Sequence, residues 1–353
     1  MSRHLIAILV LGMMIGCGSS DSDTNDENQG GQPVGDATVI SDAGEQGSPP
    51  DAGIGNGNDA GQPPGRSPVD PDEGEPQEYE TPAALTAGFM GEDPGQVDGC
   101  SGTTVTQIRG WIVDRIGRPI SGAKAQLCVE GEGGTTQCLP PTDSGEDGVF
   151  NLDIAPGDQC LSKAAFRVIK PGSGRAPMYC NAPLELDAAN SRLIMEQPFV
   201  LYAGIPAADL PPIGDEEMTR TVTFANGVQL DIKPFDLVSP YEELGMRTVG
   251  TDERGLCFLE AAEAPTRLYA FSPDSTIYGN ATVRFPNETE LEPGAKVDIS
   301  ILGGLGCERN GEHIAEGTWQ SIGTGTVNAA GDYVESDDGT SLTCLTWVGY
   351  KPL

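Results

Sequence analysis

The sequence predicts an all-β protein, with two tandem β-sandwich regions following a disordered N-terminal tether. Three observations lead there. Past residue 97, runs rich in Val, Ile, Thr and aromatics alternate with Gly, Pro, Asn and Asp clusters about every eight to twelve residues. No long stretch carries the helical period. Between Gly18 and Glu80, fifteen Asp or Glu stand against one basic residue, Arg66, and no aromatic precedes Tyr79. Such a chain buries too little apolar surface to offset its conformational entropy, so disorder is expected, and the linker is drawn through residue 97. Asp-Ala-Gly recurs at Asp42, Asp51 and Asp59, too irregularly for a calcium-binding repeat. A flexible chain of this length spans roughly 45 Å and lifts a folded head clear of a membrane surface.

Ahead of the tether, Arg3 and His4 precede an apolar run from Leu5 to Ile15. Eleven residues cannot cross a hydrocarbon core as a helix, which needs about 20, but they suit the apolar part of an export signal peptide. The run ends in Met14-Ile15-Gly16-Cys17, which resembles a lipobox, with Met14 in place of the usual Leu. That resemblance implies a bacterial lipoprotein of the cell envelope, cleaved before Cys17 and membrane-anchored by lipid on that cysteine. Two or three acyl chains hold firmly where one does not. Gly18 after the cysteine, rather than Asp, points to the outer membrane. The expected organisation is a signal peptide over 1–17, an acidic linker over 18–97, and β-sandwich regions over 98–195 and 196–353.

In the first region, Thr104–Val113 alternates as a strand. Asp114 to Pro119 turns, and Ile120–Val129 follows. Ile108-Arg109-Gly110-Trp111-Ile112-Val113-Asp114 with Gly117-Arg118-Pro119-Ile120-Ser121-Gly122-Ala123 resembles the opening of a carboxypeptidase regulatory-like domain. Thr142-Asp143 leading to Gly148-Val149-Phe150 is similar to that family's second signature, with two extra residues, and Ala155-Pro156-Gly157 falls at its Pro-Gly turn. The resemblance covers about 80 residues and implies a transthyretin-like β-sandwich. In carboxypeptidases this module accompanies a separate zinc domain, so it implies no peptidase activity. Asp143, Glu146 and Asp147 lack the oxygen register of an EF-hand loop, so Asx-turn chemistry is expected of them rather than Ca²⁺ binding.

The second region opens at Phe199-Val200-Leu201-Tyr202. Arg220–Ile232 reads as a hairpin turning at Asn226-Gly227. Strands are expected at Arg267–Phe271, Ala281–Phe285, Ala295–Leu302, Thr318–Gln320, Gly323–Val327 and Gly331–Val334. Their order resembles a β-sandwich module of surface lipoproteins of soil bacteria, which implies a stalk or packing unit.

The chain of 353 residues has formal charge −33. The tether accounts for −14 and the signal for +1, which leaves −20 on the head. With no Lys/Arg cluster, nucleic acid is excluded as a partner. Besides Cys17 there are eight cysteines, an even number in an exported chain, which predicts disulfides. Their spacing favours Cys128 with Cys138 across a Gly-rich turn, Cys160 with Cys180, and Cys307 with Cys344, leaving Cys100 with Cys257. None forms a C-x-x-C, so no metal site or cofactor is expected.

Once His4 leaves with the signal, His313 is the single histidine, set in a Glu/Asn/Gly-rich loop. That removes multi-histidine metal sites, and no G-x-S-x-G elbow accompanies it. Gly323-Thr324-Gly325 lacks the ending of a phosphate loop. The Asn280 and Asn287 sequons read as chance in a bacterial lipoprotein. Trp111, Trp319 and Trp347 fall on strands, where core packing is favoured over sugar stacking. No catalytic residue is expected. The predicted function is a non-catalytic envelope lipoprotein that binds a protein or glycan or acts as a spacer. The rival is a carboxylate-based hydrolase, which requires two acids about 5–10 Å apart in a cleft.

Overall fold

The computed structural model describes residues 70–353, apart from 76, 131–135, 185–189 and 260–263. Cys17, the signal segment and the tether up to residue 69 lie outside the described residues. Among those described, strands dominate, and no helix is long and apolar enough to cross a membrane.

Runs of period two become strands wherever one face can be buried. The first region comprises β1 (Gln107–Asp114), β2 (Lys124–Glu130), β3 (Val149–Asp153), β4 (Ala164–Ile169), β5 (Met178–Asn181), β6 (Arg192–Ile194) and β7 (Phe199–Leu201), with short pieces between. β1 centres one sheet. β3 runs antiparallel to it, with Ile108 opposite Leu152, while β6 and β7 run parallel. The facing sheet passes from Thr136–Cys138 through β2 and β4 to β5. Phe166 on β4 reaches Phe199 on β7 with ring centroids 5.2 Å apart, which closes the two sheets over an apolar core. Gly110 is needed in β1, because a Cβ there would lie 2.6 Å from the Phe150 ring. Although β7 begins the stretch assigned from sequence to the second region, it completes the first region's sheet.

The second region comprises β8 (Arg220–Thr223), β9 (Gln229–Ile232), β10 (Gly245–Val249), β11 (Arg267–Pro286), β12 (Lys296–Leu302), β13 (Trp319–Val327), β14 (Tyr333–Ser336) and β15 (Leu342–Pro352). The expected hairpin is present. β8 pairs with β9, and Gly227 takes the positive φ of 86° that the turn requires. β11, 20 residues long, is the axis. Its first half pairs with β10 and β15, its second with β9 and β14. β14 pairs with β13, β13 with β12, and β12 with β15, so the ladder returns to β11. Register shifts after Ala270 and after Thr276 bend β11 between the layers, as bulges do.

The two regions share a core. Leu268, Ala270, Leu302 and Trp347 belong to the same buried cluster as Ile108, Phe150 and Phe199. Trp347 is fully buried. It stands edge-on to Tyr202 at 5.5 Å, packs on Phe258 at 4.9 Å, and donates its indole N–H to the Pro177 carbonyl at 2.6 Å.

The linker expected to be disordered through residue 97 is corrected from residue 70 onward, where the chain folds onto the head. Asp72 is fully buried and accepts bonds from Arg175 at 3.0 and 3.2 Å and from the Ala203 amide at 2.8 Å. Asp70 pairs with Arg247, whose Nε donates to the Ala203 carbonyl. Tyr79 stands against Trp111, Leu85 is buried, and Phe89 lies under the guanidinium groups of Arg109 and Arg192. Composition marked these acids as solvated, but two of them neutralise arginines at the junction of the regions.

Four disulfides form among the described residues. Cys128–Cys138 and Cys307–Cys344 are as expected from spacing. The other two expected pairs exchange partners: Cys100 bonds Cys160, and Cys180 bonds Cys257. The physical reason is strand placement. Thr103–Thr104 pairs with Cys160–Leu161, which carries Cys160 beside the chain just after Cys100. β5 lies at the shared core, which brings Cys180 to Cys257 of the second region.

Candidate functional site

The residues weighed for chemistry are scattered. His313 lies on a two-residue strand opposite Glu308, with its Nε2 3.3 Å from Glu316. Trp111 and Trp347 are buried, and Trp319 packs on Phe258. Asp147 accepts the Val149 amide two residues on, an Asx-turn, while Asp143 pairs with Lys124 at 2.9 Å. Gly148 follows with φ of 77°, and a Cβ there would collide with the Ile112 carbonyl. Gly323 to Gly325 are strand residues of β13. Asn287 spends its amide on the Leu291 and Gly331 carbonyls.

Among the described residues two carboxylates, Asp337 and Asp93, depart from the ordinary value, and both move down. Burial pushes Asp337 up, but bonds from Lys296 at 2.8 Å, Thr324 at 2.6 Å and Thr326 outweigh it and leave the carboxyl at about 2. Asp93 follows the same pattern: burial raises it, and the hydroxyl and amide of Ser191 with the amide of Gly95 carry it below the usual value. A glycosidase general acid needs the opposite shift.

The surface feature that departs from a plain solvated face lies where β11 bulges. Between Thr276 and Ala281 the register on β15 moves from Cys344 to Leu342, so residues 277–280 stand away from that ladder. Ile277 turns inward and Tyr278 outward, 81 % exposed. A short 3₁₀ turn, Pro234–Asp236, runs beside this bulge. Leu237 bridges Ile277, and the Val238 amide donates to the Thr276 carbonyl at 3.2 Å. Gly279 sits directly against the Asp236 side chain, so that a Cβ there would displace the carboxylate. The pairing sets Phe235, 65 % exposed, and Val238, 59 % exposed, on the same rim as Tyr278. Single exposed apolar side chains are ordinary, but three gathered around one bridge are the kind of feature that marks interaction sites.

The surround is acidic. Phe235 donates its amide to the Glu216 carbonyl, which brings the Asp215-Glu216-Glu217 run alongside, and Asp236 lies within the patch. Lys233 is the exposed cation nearest in sequence, while Arg220 is tied to the carbonyls of Ile213 and Asp215. Sequence reasoning missed this rim. Phe235 and Val238 in a Pro-flanked loop were the available signal, but only the tertiary bridge to Ile277 brings Tyr278 to them.

Compared with known family models and with curated proteins, the chain matches none.

Proposed function

We propose that the chain is a non-catalytic lipoprotein of the cell envelope, anchored in the outer membrane by lipid on Cys17, whose acidic head docks a basic protein at the Phe235–Val238–Tyr278 rim. The observation that carries this reading is the pairing of exposed apolar side chains with an acidic surround on a head whose residues 81–353 alone carry −20. Apolar anchors inside a charged rim are how protein interfaces are built. The charge selects among occupants: a second copy of this head and an anionic lipid surface are both repelled, and a cationic protein is attracted. A glycan site is less well supported, because Trp111 and Trp347 are buried. The carboxypeptidase regulatory-like reading of the first region draws support from the two facing sheets and from the turn at Gly148.

The test is photo-crosslinking in the native host, with the reactive residue in place of Tyr278. A discrete product with a basic protein, weakened by high salt and lost in Val238→Asp, is expected. No product, the same product in Val238→Asp, or a product with a glycan or a second copy would overturn the assignment.

A further inference from the structure

Glu316 is a buried acid whose side chain is 3 % exposed, and its Oε1 has no hydrogen-bond partner. His313 places its Nε2 3.3 Å from that oxygen. The Cys128–Cys138 bridge lies close to the same carboxylate. The two sulfurs and a Glu316 oxygen all fall within 4.8 Å of one another. A cavity of about 20 Å³ opens beside them, lined by Cys128, Lys163, Ala164, Asn181 and Glu316 among others. That is room for about one water-sized ion. Two sulfurs and a carboxylate are the ligand types of a thiolate-rich zinc site that keeps one position for water.

The bridge is also suited to opening. Cys128 and Cys138 are direct partners across adjacent antiparallel strands, so the ladder holds the two cysteines together without the S–S bond. It closes the shortest loop of the four, a separation of 10 residues against 37, 60 and 77, and so contributes the least loop-closure entropy.

We propose that Cys128, Cys138 and Glu316, with water in the fourth position and His313 supporting the carboxylate, form a redox-gated site for a soft divalent cation such as Zn²⁺. The oxidised form is a cross-link; the reduced form is a metal site. A dithiol reductant opens the bridge by exchange: its two sulfurs become a disulfide, and two electrons and two protons pass to Cys128 and Cys138. Zn²⁺ then displaces those two protons. The sulfurs separate to about 3.8 Å, the edge of a tetrahedron with Zn–S of about 2.3 Å, and the carboxylate and a water complete it. This assignment is independent of the docking rim.

The test uses the mature head under graded dithiol reduction, with alkylation mapping of which cysteines are free, and with Zn²⁺ and spectroscopic Co²⁺ as probes. Once Cys128 and Cys138 are free, one equivalent of Zn²⁺ is expected, together with a thiolate-to-Co²⁺ charge-transfer band. The band should be absent in Cys128→Ser. Glu316→Gln, which keeps both cysteines, should weaken Zn²⁺ about 10- to 100-fold, and His313→Ala about tenfold. The proposal is overturned by no band with both thiols free, by a band that persists in Cys128→Ser, or by unchanged affinity in Glu316→Gln.

Discussion

Replacing Trp347 with Ala should loosen both regions of the head at once. The indole is fully buried in the core that the regions share, edge-on to Tyr202 and packed on Phe258. Truncating a buried Trp costs about 3–5 kcal/mol in transfer and cavity terms. The Pro177 carbonyl also loses its donor inside the protein, worth about 1–3 kcal/mol. Part of that is relieved as the site relaxes, so about 5 kcal/mol is expected. In a head of this size that lowers the melting midpoint by roughly 10–15 °C. Trp347→Phe keeps part of the apolar contact but loses the N–H and part of the ring volume, so it should cost about 2–4 kcal/mol. The assay is chemical denaturation followed by far-UV circular dichroism and by tryptophan fluorescence. A shared core predicts one coincident transition in the parent and in both variants, displaced to lower denaturant. Two separable transitions in the parent, or a Trp347→Ala cost under about 1 kcal/mol, would refute the shared-core argument.

Asp72→Ala should destabilise by about 2–3 kcal/mol, because Arg175 loses its two-bonded carboxylate and keeps only Asp114 at 3.9 Å and the Leu201 carbonyl, and urea midpoints will read it. Removing Cys180–Cys257 should cost about 2 kcal/mol more than removing Cys128–Cys138, from the logarithm of the loop ratio 77 to 10, as measured by equilibrium unfolding of the paired Ser variants. Asp337 has its folded pKa lowered to about 2 from the ordinary 3.8. Its contribution is therefore present in full above about pH 4 and is lost as pH falls from there through 2. Discounted for solvent screening, it amounts to about 1 kcal/mol. Asp337→Asn should be less stable than the parent at pH 7 and equal to it near pH 2, in melts run across that range.

The local parts of the fold were legible in the sequence. Asn226-Gly227 specified its hairpin because only a turn with positive φ joins two twisted strands so closely. Cys128 and Cys138 were legible as partners, since antiparallel strands so close in sequence have little choice of register. What the sequence hid depends on contacts between distant segments. Cys100 pairs with Cys160 because two short strands meet, and no spacing encodes that meeting. Asp70 and Asp72 looked like tether because their partners, Arg247 and Arg175, stand more than a hundred residues away. The candidate sites are harder still to see. Tyr278 joins Phe235 through the bridge from Leu237 to Ile277, and Glu316 joins Cys128 from far along the chain. Period and composition report which face of a strand is buried; they do not report which strand lies behind it.

The central claim is a lipid-anchored head closed by four disulfides, and one measurement tests both halves: the intact mass of the mature protein from its native host, before and after reduction. The account predicts a di- or triacylated chain beginning at Cys17 that gains eight hydrogens on reduction of the four bridges. An unlipidated chain, or a gain of fewer than eight hydrogens, would contradict it.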